Sequence, residues 1–158
     1  MKFLFILIAF FFAASVQAQV ERDSVMNRCP VFITDTVSNN NFFIQARPAT
    51  LKVYRVKGDL TIVVEQRDQF FSLFFHEKRL RNTTYKIEKG SKGRGEVEAS
   101  YSFKSGDQVA FIPISTGSVQ STYDKEKKVW NLKVNGMLTN MSDRTLTYYK
   151  VRSDLVVK

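Results

Sequence analysis

The sequence has little of what metal and thiol sites are built from, with one histidine and one cysteine among its 158 residues. A zinc site made of several histidines or thiolates lacks its ligands, and no internal disulfide can form. The lone thiol, Cys29, is expected to be buried and inert, because free cysteine is among the most buried residue types. A disulfide-linked dimer through Cys29 is the alternative. No metal and no other cofactor is predicted.

Long apolar runs are confined to the N-terminus. Met1 and Lys2 form a short positive head, residues 3–14 are apolar, and Val16-Gln17-Ala18 offers a site for signal peptidase. The run is shorter than the roughly 20 apolar residues that cross a bilayer as a helix. Residues 1–18 are therefore predicted to be a signal peptide that is cleaved, and no transmembrane helix is expected. The protein is expected to be secreted, to the periplasm or the extracellular space.

Helical periodicity is also missing beyond the signal peptide. Residues 19–28 are polar and predict a flexible lead-in, and residues 29–158 are expected to form a single domain. Within that domain apolar and polar residues alternate with period two, for example from Leu60 to Val64 and from Val97 to Phe103. This pattern is typical of strands with one solvated face.

Turn residues separate these runs. Lys57-Gly58-Asp59, Ser105-Gly106-Asp107 and Asn135-Gly136 each predict a tight hairpin, because glycine and asparagine tolerate positive φ. Residues 124–128 predict a longer charged turn, and residues 89–95 a flexible glycine-rich loop. The predicted strands span residues 31–36, 42–46, 51–56, 60–67, 69–76, 84–88, 96–103, 108–114, 118–123, 129–135, 137–140 and 145–157, with some of them merging.

These elements predict an all-β fold. An antiparallel meander of roughly nine or ten strands is expected to form a β-sandwich or an up-and-down barrel.

The charge is strongly positive and unevenly spread. The chain has 24 Lys and Arg against 15 Asp and Glu, and removal of residues 1–18 leaves 23 against 15, a net charge of +8. Such an excess favours acidic partners. An excess of basic residues is also found at solvent-exposed strand edges, where it prevents edge-to-edge aggregation. The candidate binding residues are concentrated in one segment that contains a single acid, Glu88, and are Lys78, Arg79, Arg81, Lys86, Lys89, Lys92 and Arg94.

The strand over residues 69–76 has large apolar side chains on both faces. A second layer that buries the strand explains this pattern, and so does an aromatic patch for a partner or the wall of an apolar cavity. The candidate cavity residues are Phe70, Phe74, Tyr101, Phe103, Phe111 and Trp130.

Signals for catalysis are weak. The sequence has no Gly-x-Ser-x-Gly turn that would supply a serine nucleophile for His76. The carboxylate pair Glu96 and Glu98, of the kind a glycosidase needs, lies on a predicted solvated face. Residues 90–95 are rich in glycine and basic residues but do not open a helix, so a loose anion-binding loop is the most they predict. No catalytic residue is assigned. Asn82 and Asn140 lie in glycosylation acceptor sequences, which matter only in a eukaryotic host.

Two functions follow from these observations. The first is a secreted, non-catalytic binding module whose basic surface contacts an acidic partner, namely a polysaccharide, an envelope or a protein. The alternative is a lipocalin-like carrier or sensor of a small apolar ligand, in which the resemblance is one of architecture. No nucleic-acid partner is expected, because Tyr85 is the one aromatic residue among the basic ones and the protein is expected to be exported.

Overall fold

The computed structural model describes residues 19–142 and 145–158. The predicted signal peptide, residues 1–18, lies outside the described residues. The described chain is all-β, as predicted, and has ten strands. They are β1 Gln19–Met26, β2 Val31–Asp35, β3 Ala49–Val56, β4 Asp59–Gln66, β5 Gln69–Phe75, β6 Thr83–Ile87, β7 Glu96–Ser105, β8 Gln108–Asp124, β9 Val129–Ser142 and β10 Thr145–Val157.

All ten strands belong to one sheet with the order β1-β3-β4-β5-β7-β6-β8-β9-β10-β2. Neighbours are antiparallel except β6 and β7, which pair in parallel. Val31 and Ile33 of the edge strand β2 share one hydrophobic core with Leu51 and Val53 of β3, near the other edge. The sheet therefore curls around its own inner face, as in a sandwich or an open barrel.

Two of the predicted hairpin turns are present as two-residue connections. Lys57 and Gly58 join β3 to β4 with φ of 53° and 91°, and Ser105 pairs with Gln108 across Gly106, whose φ is 58°. Positive φ at these positions gives the turn the twist of the flanking strands. The charged turn after Asp124 and the glycine-rich loop are also where the sequence predicts them.

The predicted hairpin at Asn135-Gly136 is wrong. Strands β8 and β9 each run through without a turn, so the two predicted strand pairs 108–114 with 118–123 and 129–135 with 137–140 are merged. Gly117 lies opposite Gly136, next to a register shift between Ile114 and Thr116. A Cβ on Gly136 would approach Ile114 Cγ2 to 2.9 Å. The glycines thus serve a close approach of backbones at a β-bulge rather than a turn.

Two further local predictions differ from the structure. The predicted lead-in, residues 19–28, contains strand β1, because its backbone pairs with β3 from Gln19 opposite Arg55 to Met26 opposite Ala49. Residues 42–46 are not a strand. The buried Gln66 holds that segment by accepting a hydrogen bond from Ile44 N and donating to Ile44 O. In both segments the structure depends on contacts with residues that are distant in the sequence. The local residue pattern gives no information about such contacts.

Strand β6 fills a fork in the sheet. β7 and β8 pair with each other from Ser100 opposite Pro113 to Ser105 opposite Gln108, and beyond this stretch β6 pairs with both of them. The segments before and after β6 carry most of the predicted basic residues. The fork therefore places residues 76–82 and 88–95 beside each other at one side of the sheet.

Candidate functional site

Residues 76–82, the basic loop, are held in place by contacts with three other parts of the chain. Leu60 N of β4 donates to Glu77 O at 3.0 Å, and Gly95 N donates to Glu77 Oε1 at 3.3 Å. Arg81 N donates to the hydroxyl of the buried Tyr85 at 2.9 Å, and Leu80 is buried. Fixed at both ends and in the middle, the loop presents its charged side chains from a set backbone position.

A bidentate ion pair closes the basic loop. Arg81 Nε and Nη2 each donate to a carboxylate oxygen of Glu77 at 2.6 Å, and the Glu77 side chain is 8% exposed. The Glu77 carboxylate is the main reason that the pKa of Arg81 is raised above its ordinary value. Forked pairs of this kind are among the stronger and more directional hydrogen bonds in proteins. Arg81 therefore acts inside the loop, and its charge is largely compensated there.

Four of the seven predicted basic residues lie together. Lys78, Arg79, Arg81 and Arg94 line an open depression of about 630 Å³, which we call the basic depression, with Asp59, His76 and Glu77. Glu77 is engaged by Arg81. Among the described residues Lys78, Arg79 and Arg94 have no ion pair, so they leave an excess of positive charge facing solvent.

The other three predicted basic residues do not join them. Lys86 is paired with Glu88 at 2.8 Å, Lys89 lines a separate groove on the outer face, and Lys92 is exposed outside the depression. Sequence proximity alone grouped these residues. Lys86 lies on β6, and Lys89 and Lys92 lie in the loop after it, whereas Arg94 at the end of that loop reaches the depression.

The glycine-rich loop does hold an anion, but the anion is the chain's own Glu96. Ser91 Oγ donates to Glu96 Oε2 at 2.9 Å, and Gly93 N donates to the same oxygen at 3.2 Å. These hydrogen bonds, with Ser91 the larger cause, hold the pKa of Glu96 below its ordinary value. The loop amide of Gly93 is thus occupied, and the loop is preorganised rather than open to an external phosphate.

His76 lies between two carboxylates. Its Nε2 is 3.3 Å from Glu98 Oε1, its Nδ1 is 3.9 Å from Asp59 Oδ2, and its ring packs edge-on against Phe74 with centroids 4.7 Å apart. In the part of the chain that the structure describes, no serine or cysteine is among these contacts. Nucleophilic catalysis through a histidine needs such a partner, and the lack of a catalytic role stays a prediction.

The six predicted cavity residues are distributed over both faces of the sheet. Phe74 and Phe111 line a groove of about 360 Å³ on the outer face, floored by Ser72 and Ser100, and Phe111 is 67% exposed. Phe70 alternates with the buried Phe71 and faces outward as well.

The other three cavity candidates lie on the inner face. Tyr101 packs against Phe103, with ring centroids 5.7 Å apart, and stacks on Phe42 at 4.9 Å. Trp130 packs on Tyr123 and lines a pocket at the end of the sheet. The six residues therefore lie on two faces of the sheet within the described structure, and their role in ligand binding stays a prediction.

The pocket at the end of the sheet, which we call the end pocket, was not predicted from the sequence. It measures about 220 Å³ and lies where strands from both halves of the curled sheet converge. Its apolar wall is formed by Val53, Leu60, Leu80, Trp130 and Val157, and its charged lining by Arg22, Arg55, Arg79 and Lys158. Arg55 shares the inner face with Leu51 and Val53, so an arginine in the apolar register of β3 is the one signal that the sequence contains.

The thiol of Cys29 is buried, as expected, and only 2% of the residue is exposed. Burial raises the pKa of the Cys29 thiol above its ordinary value. Because thiolate is the reactive form, this environment lowers the reactivity of the sulfur. A disulfide to a second chain would require the thiol to reach the surface.

The remaining partner predictions have limited structural support. The described residues contain no helix that is long and apolar enough to cross a membrane. The acceptor Asn82 is exposed, and its Oδ1 accepts a hydrogen bond from Tyr123 N at 2.6 Å, whereas the side chain of Asn140 lies outside the described part. Comparisons of the chain with protein-family models, curated proteins and solved structures found no match.

Proposed function

We propose that this protein is an exported, non-catalytic binding module that contacts an acidic partner through the basic depression. The observation that carries the proposal is the gathering of Lys78, Arg79 and Arg94 in one depression without an ion pair among the described residues. Such a field attracts polyanions and accelerates their association. The signal-peptide pattern of residues 1–18 supports export.

Rigidity of the basic loop supports the same proposal. Three hydrogen bonds and the Glu77–Arg81 pair fix the loop, so its cations are positioned before a partner arrives. Ordering a long side chain or a loop on binding costs free energy, and a fixed backbone reduces that cost. A lysine-rich strand edge kept only for solubility does not need such anchoring.

The carrier function has less support than the binding module. Its six aromatic residues lie on both faces of the sheet, and the core beneath them is filled by large side chains such as Phe43, Phe71 and Tyr85. A carrier of an apolar ligand needs a pocket that encloses most of the ligand surface. The outer groove at Phe74 and Phe111 leaves Phe111 mostly exposed.

The test is retention of the protein on an immobilised polyanion, heparin, as a function of salt. A variant with Lys78→Ala, Arg79→Ala and Arg94→Ala is compared with a control of equal net charge, Lys104→Ala, Lys125→Ala and Lys133→Ala, whose side chains are exposed elsewhere. We expect the first variant to elute at clearly lower salt than the wild type, since direct contacts with the polyanion are lost.

The control separates a site from a diffuse charge. If the two triple variants elute at the same salt concentration, net charge alone explains retention and the proposal fails. Retention of the control close to that of the wild type supports the basic depression as the contact surface. Urea unfolding of both variants shows whether each is folded under the conditions of the column.

A further inference from the structure

We propose that the end pocket binds a small amphipathic anion, namely a carboxylate joined to a short alkyl chain or to one ring. This site goes beyond the polyanion-binding function, because it takes a small molecule at the end of the sheet rather than a polymer on its side. The two sites share one residue, Arg79.

The wall of the end pocket is apolar and made of inward-facing side chains. Leu60 is paired with Arg55 across β3 and β4, and Val157 is paired with Trp130 across β9 and β10. Both pairs lie at strand ends, and Leu80 of the anchored basic loop completes the wall. Residues on strands and on an anchored loop form a largely preformed pocket, which is the usual state of a small-molecule site.

Among the described residues, the charged side chains that line the end pocket are all basic, namely Arg22, Arg55, Arg79 and Lys158. Arg22 and Arg79 have no ion pair within the described structure, and both are exposed. A guanidinium presents a planar fork that matches a carboxylate. Cations above an apolar wall are complementary to an anionic group joined to an apolar one.

The size of the pocket limits the apolar part of the ligand. Sites for drug-sized ligands measure about 300–1,000 Å³, and the end pocket measures about 220 Å³. One ring or a short alkyl chain therefore fits the pocket, whereas the whole acyl chain of a membrane lipid is too large.

The sole tryptophan of the chain, Trp130, reports directly on this pocket. The experiment titrates the wild-type protein with octanoate and follows the tryptophan emission. Octanol carries the chain without the charge, and acetate carries the charge without the chain. We expect a saturable change with octanoate. Octanol should bind at least about tenfold more weakly, since loss of one charge-assisted hydrogen bond is worth about that factor. Acetate should also bind at least about tenfold more weakly, because it lacks the methylene groups whose burial contributes about a fourfold factor each.

Two variants test the arginines. Arg22→Gln with Arg79→Gln removes two guanidinium groups from the pocket, and Arg28→Gln with Arg152→Gln removes two exposed ones elsewhere. We expect octanoate to bind the first variant at least about tenfold more weakly and the second as tightly as the wild type. The proposal is overturned if octanoate leaves the emission unchanged, if octanol binds equally well, or if the two variants bind alike.

The two proposals fail in distinguishable ways. Heparin retention that depends on Lys78 and Arg94, together with an octanoate titration without effect, retains the binding module and removes the small-molecule site. A saturable change in Trp130 emission, together with heparin retention that depends on net charge alone, retains the small-molecule site and removes the binding module. The tryptophan signal is specific to the end pocket because the chain has no other tryptophan.

Discussion

Substitution of Gly117 by alanine tests the interpretation that β8 and β9 need two facing glycines. Gly117 has φ of +141°, a region that side chains of L residues rarely adopt. A Cβ there would overlap the carbonyl oxygen of Asn135 and lie 2.5 Å from Gly136 Cα. Both neighbours are backbone atoms, so no side-chain rotation relieves the contact. The strands must separate or the bulge must rearrange.

The expected loss of unfolding free energy has two contributions. A residue held in a sparsely populated backbone region costs about 1–3 kcal/mol, and overpacking costs about 1–3 kcal/mol more. We therefore expect Gly117→Ala to destabilise the protein by about 2–6 kcal/mol, against a total stability of about 5–15 kcal/mol for an ordinary domain. The β8–β9 pairing around the bulge should be the first part of the sheet to lose protection from hydrogen exchange.

Gly106→Ala is the matched control. Gly106 also has positive φ, 58°, but nothing lies within 4 Å of its added Cβ. Its expected cost is the backbone cost alone, about 1–2 kcal/mol. Urea unfolding of the wild type and both variants gives the two differences directly. Equal destabilisation by the two substitutions would refute the close-approach interpretation of Gly117.

Two further predictions concern titration and the basic loop. Burial raises the pKa of Tyr101 to about 12 from an ordinary value of 10, so its neutral form stabilises the fold fully below about pH 10, and this contribution is lost as the pH rises towards 12. Urea unfolding near pH 9 and pH 11 should therefore show a larger loss for the wild type than for Tyr101→Phe, and equal losses would contradict the burial argument. Glu77→Gln removes a carboxylate that binds Arg81, so hydrogen exchange in the basic loop should accelerate, whereas Glu88→Gln, at an exposed pair, should leave it unchanged.

Elements with regular local patterns were predictable from the sequence. In strands β4 and β7 apolar residues recur at every second position, and most of these positions, such as Leu60, Ile62 and Val97, are buried. Two-residue turns at Gly58 and Gly106 follow from the need for positive φ. In each case the residues that decide the structure are adjacent in sequence.

Elements that depend on distant partners were not predictable in this way. Strand β1 is mostly polar, and it forms a strand because its backbone pairs with the edge of β3. Asn135-Gly136 has the strongest local signal for a hairpin, yet the glycine faces Gly117 across a bulge instead. A glycine or asparagine in the sequence shows that a position tolerates positive φ or a close neighbour. Whether the position forms a turn or a close contact between strands depends on which strand packs against it.

The candidate site follows the same division. The sequence places Lys78 and Arg79 in a basic segment, but the association of Arg79 with Arg22 requires β1 to pair with β3, and that with Arg94 requires β6 to enter the fork between β7 and β8. Charge patterning therefore identifies which residues are available for an acidic ligand, whereas the sheet order decides which of them act together. Because Arg79 is the one described residue that belongs to both the end pocket and the basic depression, its position on the anchored loop links the two proposed sites.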